Sequence, residues 1–285
     1  MSHMPHQPEK WKTDYERDGY LVVENLLDES TLATLRGEIE KITADPDALP
    51  QHLRKHVQLE RDYLSNESQQ KYNELGADQV GNAVRNIMEL PLFSPALGEL
   101  ICYEPLLDVL EALFESPEFH FHNYKCIVKA PKVGSTFRWH RDLPYLYHTS
   151  PNLITAMLCL DPMTEENGAT VVLPGTHRLP TEEVERRDVE IQEQDLPTDA
   201  ERVTVTCPAG SAVLFHVSII HGGGPNRSEI PRRNVIGIWA GPDAWPITPN
   251  RYAYGELHPR SQDPIRQKQV QMTFPRLFQN QSAAP

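Results

Sequence analysis

The rhythm of apolar residues changes along the chain. In the first part it is helical. After Asp28, Ser30 and Thr31, the residues Leu32, Leu35, Ile39 and Ile42 follow at three- and four-residue steps, which predicts a helix with a polar residue at its start. The short β-prone run Tyr20–Val23, introduced by Asp18-Gly19, precedes it. Residues 11–44 therefore read as strand, turn and helix. Residues 45–80 are polar and contain Pro46 and Pro50, so loops and short helices are expected there. The stretch LFSPALGELICYEPLLDVLEALF (92–114) reads as two helices broken at Pro105, with Leu106, Val109, Leu110 and Leu113 on one face.

Beyond that point short β-prone runs alternate with turn residues. The runs are FHFHNYKCIVKA (119–130), LITAMLCLD (153–161), ATVVLPG (169–175), RVTVTC (202–207), SAVLFHVSIIH (211–221) and NVIGIWAG (234–241). Turns are marked at Glu166-Asn167-Gly168, Pro174-Gly175, Pro208-Ala209-Gly210 and Gly222-Gly223-Gly224. Helices first and strands later predict an α+β chain with a mainly β catalytic core, a double-sheet jelly roll with flanking helices. The charged stretch 178–201 interrupts the rhythm and reads as a surface insertion over the mouth of a site. Residues 1–10 read as a polar, tag-like tail, 11–275 as one domain, and 276–285 as a C-terminal tail.

A length of 285 residues suits one large β domain. The net charge of -13 argues against nucleic acid and anionic membranes as partners, because phosphate binding needs clustered Lys and Arg. Cys102, Cys126, Cys159 and Cys207 form no C-x-x-C pair; free thiols in a reducing compartment are expected. No apolar stretch approaches the length of a membrane span, and the N-terminus has no secretory apolar segment. A cytoplasmic enzyme acting on a small molecule fits these features, and the oligomeric state is left open.

The chemistry centres on FRWHRDLPY (137–145), which puts His140 and Asp142 two residues apart. Along a strand, such residues share a face, so an imidazole and a carboxylate can converge on one metal. A charged turn beside Pro144 is the alternative. His221 ends an apolar run beside a glycine loop and is the candidate third ligand. His216, five residues earlier, should face the other way by alternation. His120 and His122 belong to another run with no nearby carboxylate. Two histidines and a carboxylate suit non-haem Fe(II) with open positions; zinc is chemically possible too. Arg232 stands at the mouth of the next strand, where its guanidinium can take a carboxylate in bidentate fashion. Arg233 should point away, and Arg227 should be solvated.

With these residues in view, the chain resembles the phytanoyl-CoA dioxygenase-like Fe(II)/2-oxoglutarate oxygenases over roughly residues 13 to 241. The similarity rests on DGYLVVENLLD, VKAPKVGSTFRWHRD, LDPMTEENGATVVLPGTHR and AGSAVLFHVSIIHGGGPNRSEIPRRN and on their spacings. It implies a double-stranded β-helix, a cupin-like jelly roll. It also implies that His140, Asp142 and His221 bind Fe(II), that Arg232 holds the distal carboxylate of 2-oxoglutarate, and that O2 is the second co-substrate. Asn123 sits where many members place an amide that contacts 2-oxoglutarate, on a strand face shared with Lys125 and Lys129. Two departures stand out. Gly223 replaces a common serine, and Met157 stands near the place of a common tryptophan; Thr155 is then a candidate to supply a hydroxyl to the co-substrate. The signature of ectoine hydroxylases after H-x-D is absent. The implied activity is hydroxylation of an aliphatic C–H bond, with release of succinate and CO2. The rival readings are a jelly-roll metal-binding or sensor protein without turnover and a zinc hydrolase on a cupin-like barrel. Lys125, Tyr145, Tyr147 and Trp239 are candidates for lining the substrate pocket.

Overall fold

Two antiparallel sheets form from the β-prone runs in the computed structural model, which describes residues 7–180 and 190–279. The strands are β1 (Tyr20–Val23), β2 (Val57–Leu59), β3 (Val84–Met88), β4 (His120–Lys129), β5 (Phe137–His140), β6 (Leu153–Cys159), β7 (Thr170–Val172), β8 (Val203–Thr204), β9 (Ala212–His216), β10 (His221–Gly223) and β11 (Arg232–Ala240). The larger sheet runs β1-β9-β6-β11-β4-β3-β2, and the smaller runs β5-β10-β7-β8. This is the double-sheet, mainly β architecture expected from the alternation of runs and turns.

The larger sheet is covered on both faces. One face buries Phe121, Tyr124 and Trp239 against Leu35, Ile39, Leu106 and Leu110 of the helices. The other presents Ile127, Met157, Val213, Phe215 and Ile236 to the smaller sheet, where they meet Val172. Burying each such side chain stabilises the fold by about 1.5–3 kcal/mol. The polar residues that form the site sit among this second, inter-sheet set.

The helices follow local rules. Asp28 caps α2 (Glu29–Ala44) by accepting a hydrogen bond from the Thr31 amide at 2.8 Å. In the stretch 92–114, Pro105 occupies the first turn of the helix Glu104–Phe114, where its missing N–H costs nothing. Four elements were not anticipated. The helix α1 (Pro8–Asp18) reaches into the expected tail and buries Trp11 and Tyr15. Strand β2 comes from a region expected to hold only loops and short helices, and β3 from residues just beyond it for which no element was predicted; together they extend the larger sheet. The helix Pro264–Thr273, capped by Asp263, buries Val270 beyond the last strand. The charged stretch 178–201 falls partly on residues 181–189, which lie outside the described residues.

The run 211–221 is not one strand. β9 ends at His216, the chain turns through Val217–Ile220, and β10 opens at His221 in the other sheet. His216 and His221 are therefore separated by a switch of sheets, not by alternation along a shared strand. The turn has a second duty: the Val217 carbonyl accepts the amides of Asp142 at 2.9 Å and Leu143 at 3.0 Å.

Candidate active site

His140 is the last residue of β5 and pairs across the ladder with His221, the first residue of β10. Asp142 lies past the end of β5 in helical backbone, held by the Val217 carbonyl. Strand alternation therefore does not carry Asp142 to the site. A turn pinned by the β9–β10 connection does. His140, Asp142 and His221 each offer a ligand atom within 4.8 Å of the others, and no other group of three does so among the described residues.

The imidazoles are held in one orientation. Nδ1 of His140 donates to the Arg138 carbonyl at 2.8 Å, and Nδ1 of His221 donates to the Ile219 carbonyl at 3.1 Å. Each carbonyl can only accept, so each Nδ1 carries a proton, and in the neutral ring Nε2 is the atom with the free lone pair. The two Nε2 atoms lie 3.7 and 3.9 Å from Oδ1 of Asp142. Its other oxygen, Oδ2, accepts the Thr155 hydroxyl at 2.6 Å. Burial pushes the Asp142 carboxyl up, but His221, Lys125, His140 and the Thr155 hydroxyl together hold it below its ordinary value. Burial, with His140 nearby, lowers His221 to about 4, so it is a neutral donor at physiological pH.

Behind this trio lies a narrow inner pocket of about 60 Å³, bounded by β4, β6, β7, β10 and β11. Arg232 lines its far end and is only 3% exposed. Its Nε has no hydrogen-bond partner, and one terminal nitrogen meets the Met163 sulfur at 3.4 Å. Burial lowers its pKa to about 10. A buried guanidinium without a carboxylate is costly unless an anion joins it. Its neighbour Arg233 does point away and is paired bidentately with Asp161 at 2.8 Å. Arg227 forms an exposed ion pair with Glu74 at 2.5 Å.

In front of the trio opens a wider cavity of about 470 Å³. Tyr145 and Lys125 line it, and Lys125 reaches the inner pocket as well. Asn123 lies on this outer wall and not in the inner pocket, so the structure places it away from the space behind the His140, Asp142 and His221 trio. Tyr147 is 65% exposed and lines neither chamber. Trp239 is fully buried on the helix-facing side of the larger sheet, edge-on to Phe119 and Phe121. It is a core residue and cannot touch a substrate. Thr155 does line the inner pocket, but its proton is committed to Asp142, which makes it a positioning residue for that carboxylate.

Two lining residues, Thr170 and Lys129, have no role assigned from the sequence. Thr170 pairs with Gly223 across β7 and β10 and faces the inner pocket. It brings a hydroxyl to the place where Gly223 lacks one. A Cβ at Gly223 would stand 3.1 Å from the Ala169 carbonyl oxygen and 3.4 Å from that of Gly168, so a serine there would crowd the ladder. Lys129, fully buried and paired with Arg232 in register, donates to the Gly168 carbonyl at 3.3 Å and to that of Gly224. It fastens the glycine loop after His221.

Comparison with known proteins identifies the family. The family model described as Phytanoyl-CoA dioxygenase (PhyH) matches residues 15–234. A probable alpha-ketoglutarate-dependent hypophosphite dioxygenase of Stutzerimonas stutzeri is 33% identical over 176 residues, which span 58% of this chain and 59% of that protein. An ectoine dioxygenase of Bordetella bronchiseptica is 28% identical over 268 residues, covering 86% of this chain and 78% of that protein. The crystal structure of EctD from S. alaskensis with 2-oxoglutarate and 5-hydroxyectoine superposes with a TM-score of 0.66 at 22% identity, over 90% of this chain and 86% of that one. The chain belongs to the phytanoyl-CoA dioxygenase family and is an Fe(II)/2-oxoglutarate-dependent dioxygenase.

Proposed function

We propose that His140, Asp142 and His221 hold the Fe(II), that Arg232 anchors the distal carboxylate of 2-oxoglutarate, and that the enzyme hydroxylates an aliphatic C–H bond of a small molecule. The observation that carries this reading is the pairing of two facts: a convergent His-Asp-His trio with both Nε2 atoms free, and a buried Arg232 with an orphaned Nε at the end of the same pocket. The donor set fits Fe(II) with open positions on one side. When bound, iron supplies the oxidative decarboxylation of 2-oxoglutarate to succinate and CO2, coupled to oxidation of the substrate.

The residues supply the rest. The Arg138 and Ile219 carbonyls fix the imidazoles, and Thr155 fixes Asp142. With iron bound, Asp142 would take a ligand position otherwise open to an external halide, which would favour oxygen transfer over halogenation. Phe137, Met157, Phe215 and Ile236 give the inner pocket apolar walls that exclude water. The outer cavity has the volume of a small-molecule site. The names of relatives mention hypophosphite, ectoine and phytanoyl-CoA, and among these substrates the compact ones suit this cavity best. Anaerobic addition of Fe(II) and 2-oxoglutarate tests the proposal. A visible charge-transfer band, followed by succinate release in air, is expected. Iron binding with no band on adding 2-oxoglutarate would overturn it.

A further inference from the structure

The outer cavity contains three cationic side chains, and two of them are matched. Arg85 is buried, pairs with Glu60 at 3.3 Å, also meets the Ser135 hydroxyl, and lies flat between Tyr63 and Phe137. Arg138 pairs with Glu190 and stacks on Tyr72. Lys125 is different. It is half-buried in the middle of β4 and faces both chambers, yet it has no hydrogen bond or ion pair among the described residues. Long cationic side chains normally extend into bulk water to escape such a position. Here the chain to which Lys125 belongs is an interior strand of the larger sheet, and its ammonium is confined to the cavity.

Which anion is Lys125 meant to meet? Of the carboxylates lining the cavity, Glu190 is taken by Arg138, and Asp142 is a proposed iron ligand. In the loaded site the two charges of Fe(II) and the one of Arg232 offset Asp142 and the doubly charged 2-oxoglutarate, while Lys129, the other lysine of the inner pocket, donates to the Gly168 and Gly224 carbonyls and is held well below its ordinary pKa by burial and Arg232. Lys125 then remains as a surplus positive charge on the substrate side. Two residues along the strand, Asn123 lines the same cavity with a buried amide oxygen that has no partner; an oxygen only accepts, so it suits a hydroxyl or N–H carried beside the anionic group.

We propose that Lys125 anchors an anionic group of the primary substrate, a carboxylate or a comparable small oxyanion, and so selects acids over their neutral analogues. This rests on the reading in which Arg232, and not Lys125, holds 2-oxoglutarate. Lys125 acts here as a specificity residue and takes no part in the redox step.

Matched probes test it. The Fe(II)- and 2-oxoglutarate-loaded protein is titrated anaerobically with butyrate, with its amide butyramide, and with inorganic phosphite. Binding is read from the perturbed charge-transfer band and, in parallel, from thermal shifts with and without iron and 2-oxoglutarate. The anions should bind at least about tenfold more tightly than butyramide, a factor equivalent to about 1.4 kcal/mol. Lys125→Gln should abolish that preference, and Lys125→Arg should restore it. The Kd for 2-oxoglutarate should stay unchanged in both variants. Equal binding of butyrate and butyramide to the unmodified protein, no binding of either anion, or full anion binding by Lys125→Gln would each overturn the proposal. A raised Kd for 2-oxoglutarate in Lys125→Gln would overturn it too, by assigning Lys125 to the co-substrate. A missing charge-transfer band with anion preference intact in the thermal shifts would instead mark failure of the iron and co-substrate reading.

Discussion

Two groups of histidines sit at different places on this jelly roll, and they behave in opposite ways. At the centre His140 and His221 lie with ring centroids 4.2 Å apart, share a carboxylate, and use Nδ1 to fix their orientation. At the start of β4, an interior strand of the larger sheet, His120 packs 5.0 Å from His258, and His122 packs 4.8 Å from His148. This second group is as crowded as the first, but it has Trp245 and Tyr252 for neighbours instead of a converging acid. Both ring nitrogens of His120 are buried without partners. Proximity of histidines therefore does not make a metal site. A carboxylate that converges with them, and an anchor on each Nδ1, make the difference.

The sharpest way to break that contrast is to remove the ligands. His140→Ala, Asp142→Ala and His221→Ala should each abolish iron binding and succinate formation, because three ligands are the minimum for such a centre. The paired controls are His120→Phe and His122→Phe, which should retain full iron stoichiometry. A control that loses iron while a trio variant keeps it would reverse the assignment.

Arg232 comes next. Arg232→Leu should leave iron binding intact and weaken 2-oxoglutarate. Losing one side of a buried charged pair costs about 2–5 kcal/mol, which is about 30-fold or more in affinity. Arg227→Leu removes only an exposed pair with Glu74 and should change little. Titration of 2-oxoglutarate against the charge-transfer band measures both, and equal losses would sink the role of Arg232.

Thr155→Val should have a smaller effect. It deletes the 2.6 Å hydrogen bond to Asp142 while keeping the shape of the side chain. Outer partners of metal ligands are worth about 10–100-fold in metal affinity, so iron should bind more weakly without being lost. If Thr155→Val leaves iron affinity unchanged and raises the Kd for 2-oxoglutarate instead, the hydroxyl serves the co-substrate.

How much of this could be read from the chain depends on how each residue is placed. The trio was legible because two ligands fall close in sequence and the third ends an apolar run beside glycines. The strands were legible where turn residues punctuate them. Trp239 was misplaced because β11 is buried on both faces, so inward Ile236 and Ile238 alternate with outward Val235 and Trp239 and all are large and apolar. A strand of that kind carries no polarity signal for its faces. The break between β9 and β10 was hidden for a similar reason, since Val217, Ile219 and Ile220 stay buried through the turn. Strands β2 and β3 are too short and mixed for a period to show. Lys129 and Thr170 gain their meaning only from partners on other strands, which no local pattern encodes.

The smallest expected effect concerns stability, and it sharpens the contrast from the side of the second group. Burial, with His258, His148 and His122 nearby, lowers His120 to about 3; burial and His148 lower His122 to about 4. In the unfolded chain both should titrate near their ordinary value of about 6.5. The folded state thus binds fewer protons than the unfolded state below that pH. Stability from these groups is fully present above about 6.5 and is lost as pH falls toward the folded values. The slope approaches about 1.4 kcal/mol per pH unit for each histidine that is protonated only on unfolding. Denaturant melts at pH 7.5 and 5.0 measure it, on metal-free protein so that the iron ligands add no linked binding. His120→Phe keeps the stacking on Trp245 and removes the titrating group, so its loss of stability between the two pH values should be smaller than that of the unmodified protein. An unchanged pH slope would mean that His120 is protonated in the folded state, and that this cluster, like the His140, Asp142 and His221 trio, has an anion to share its charge.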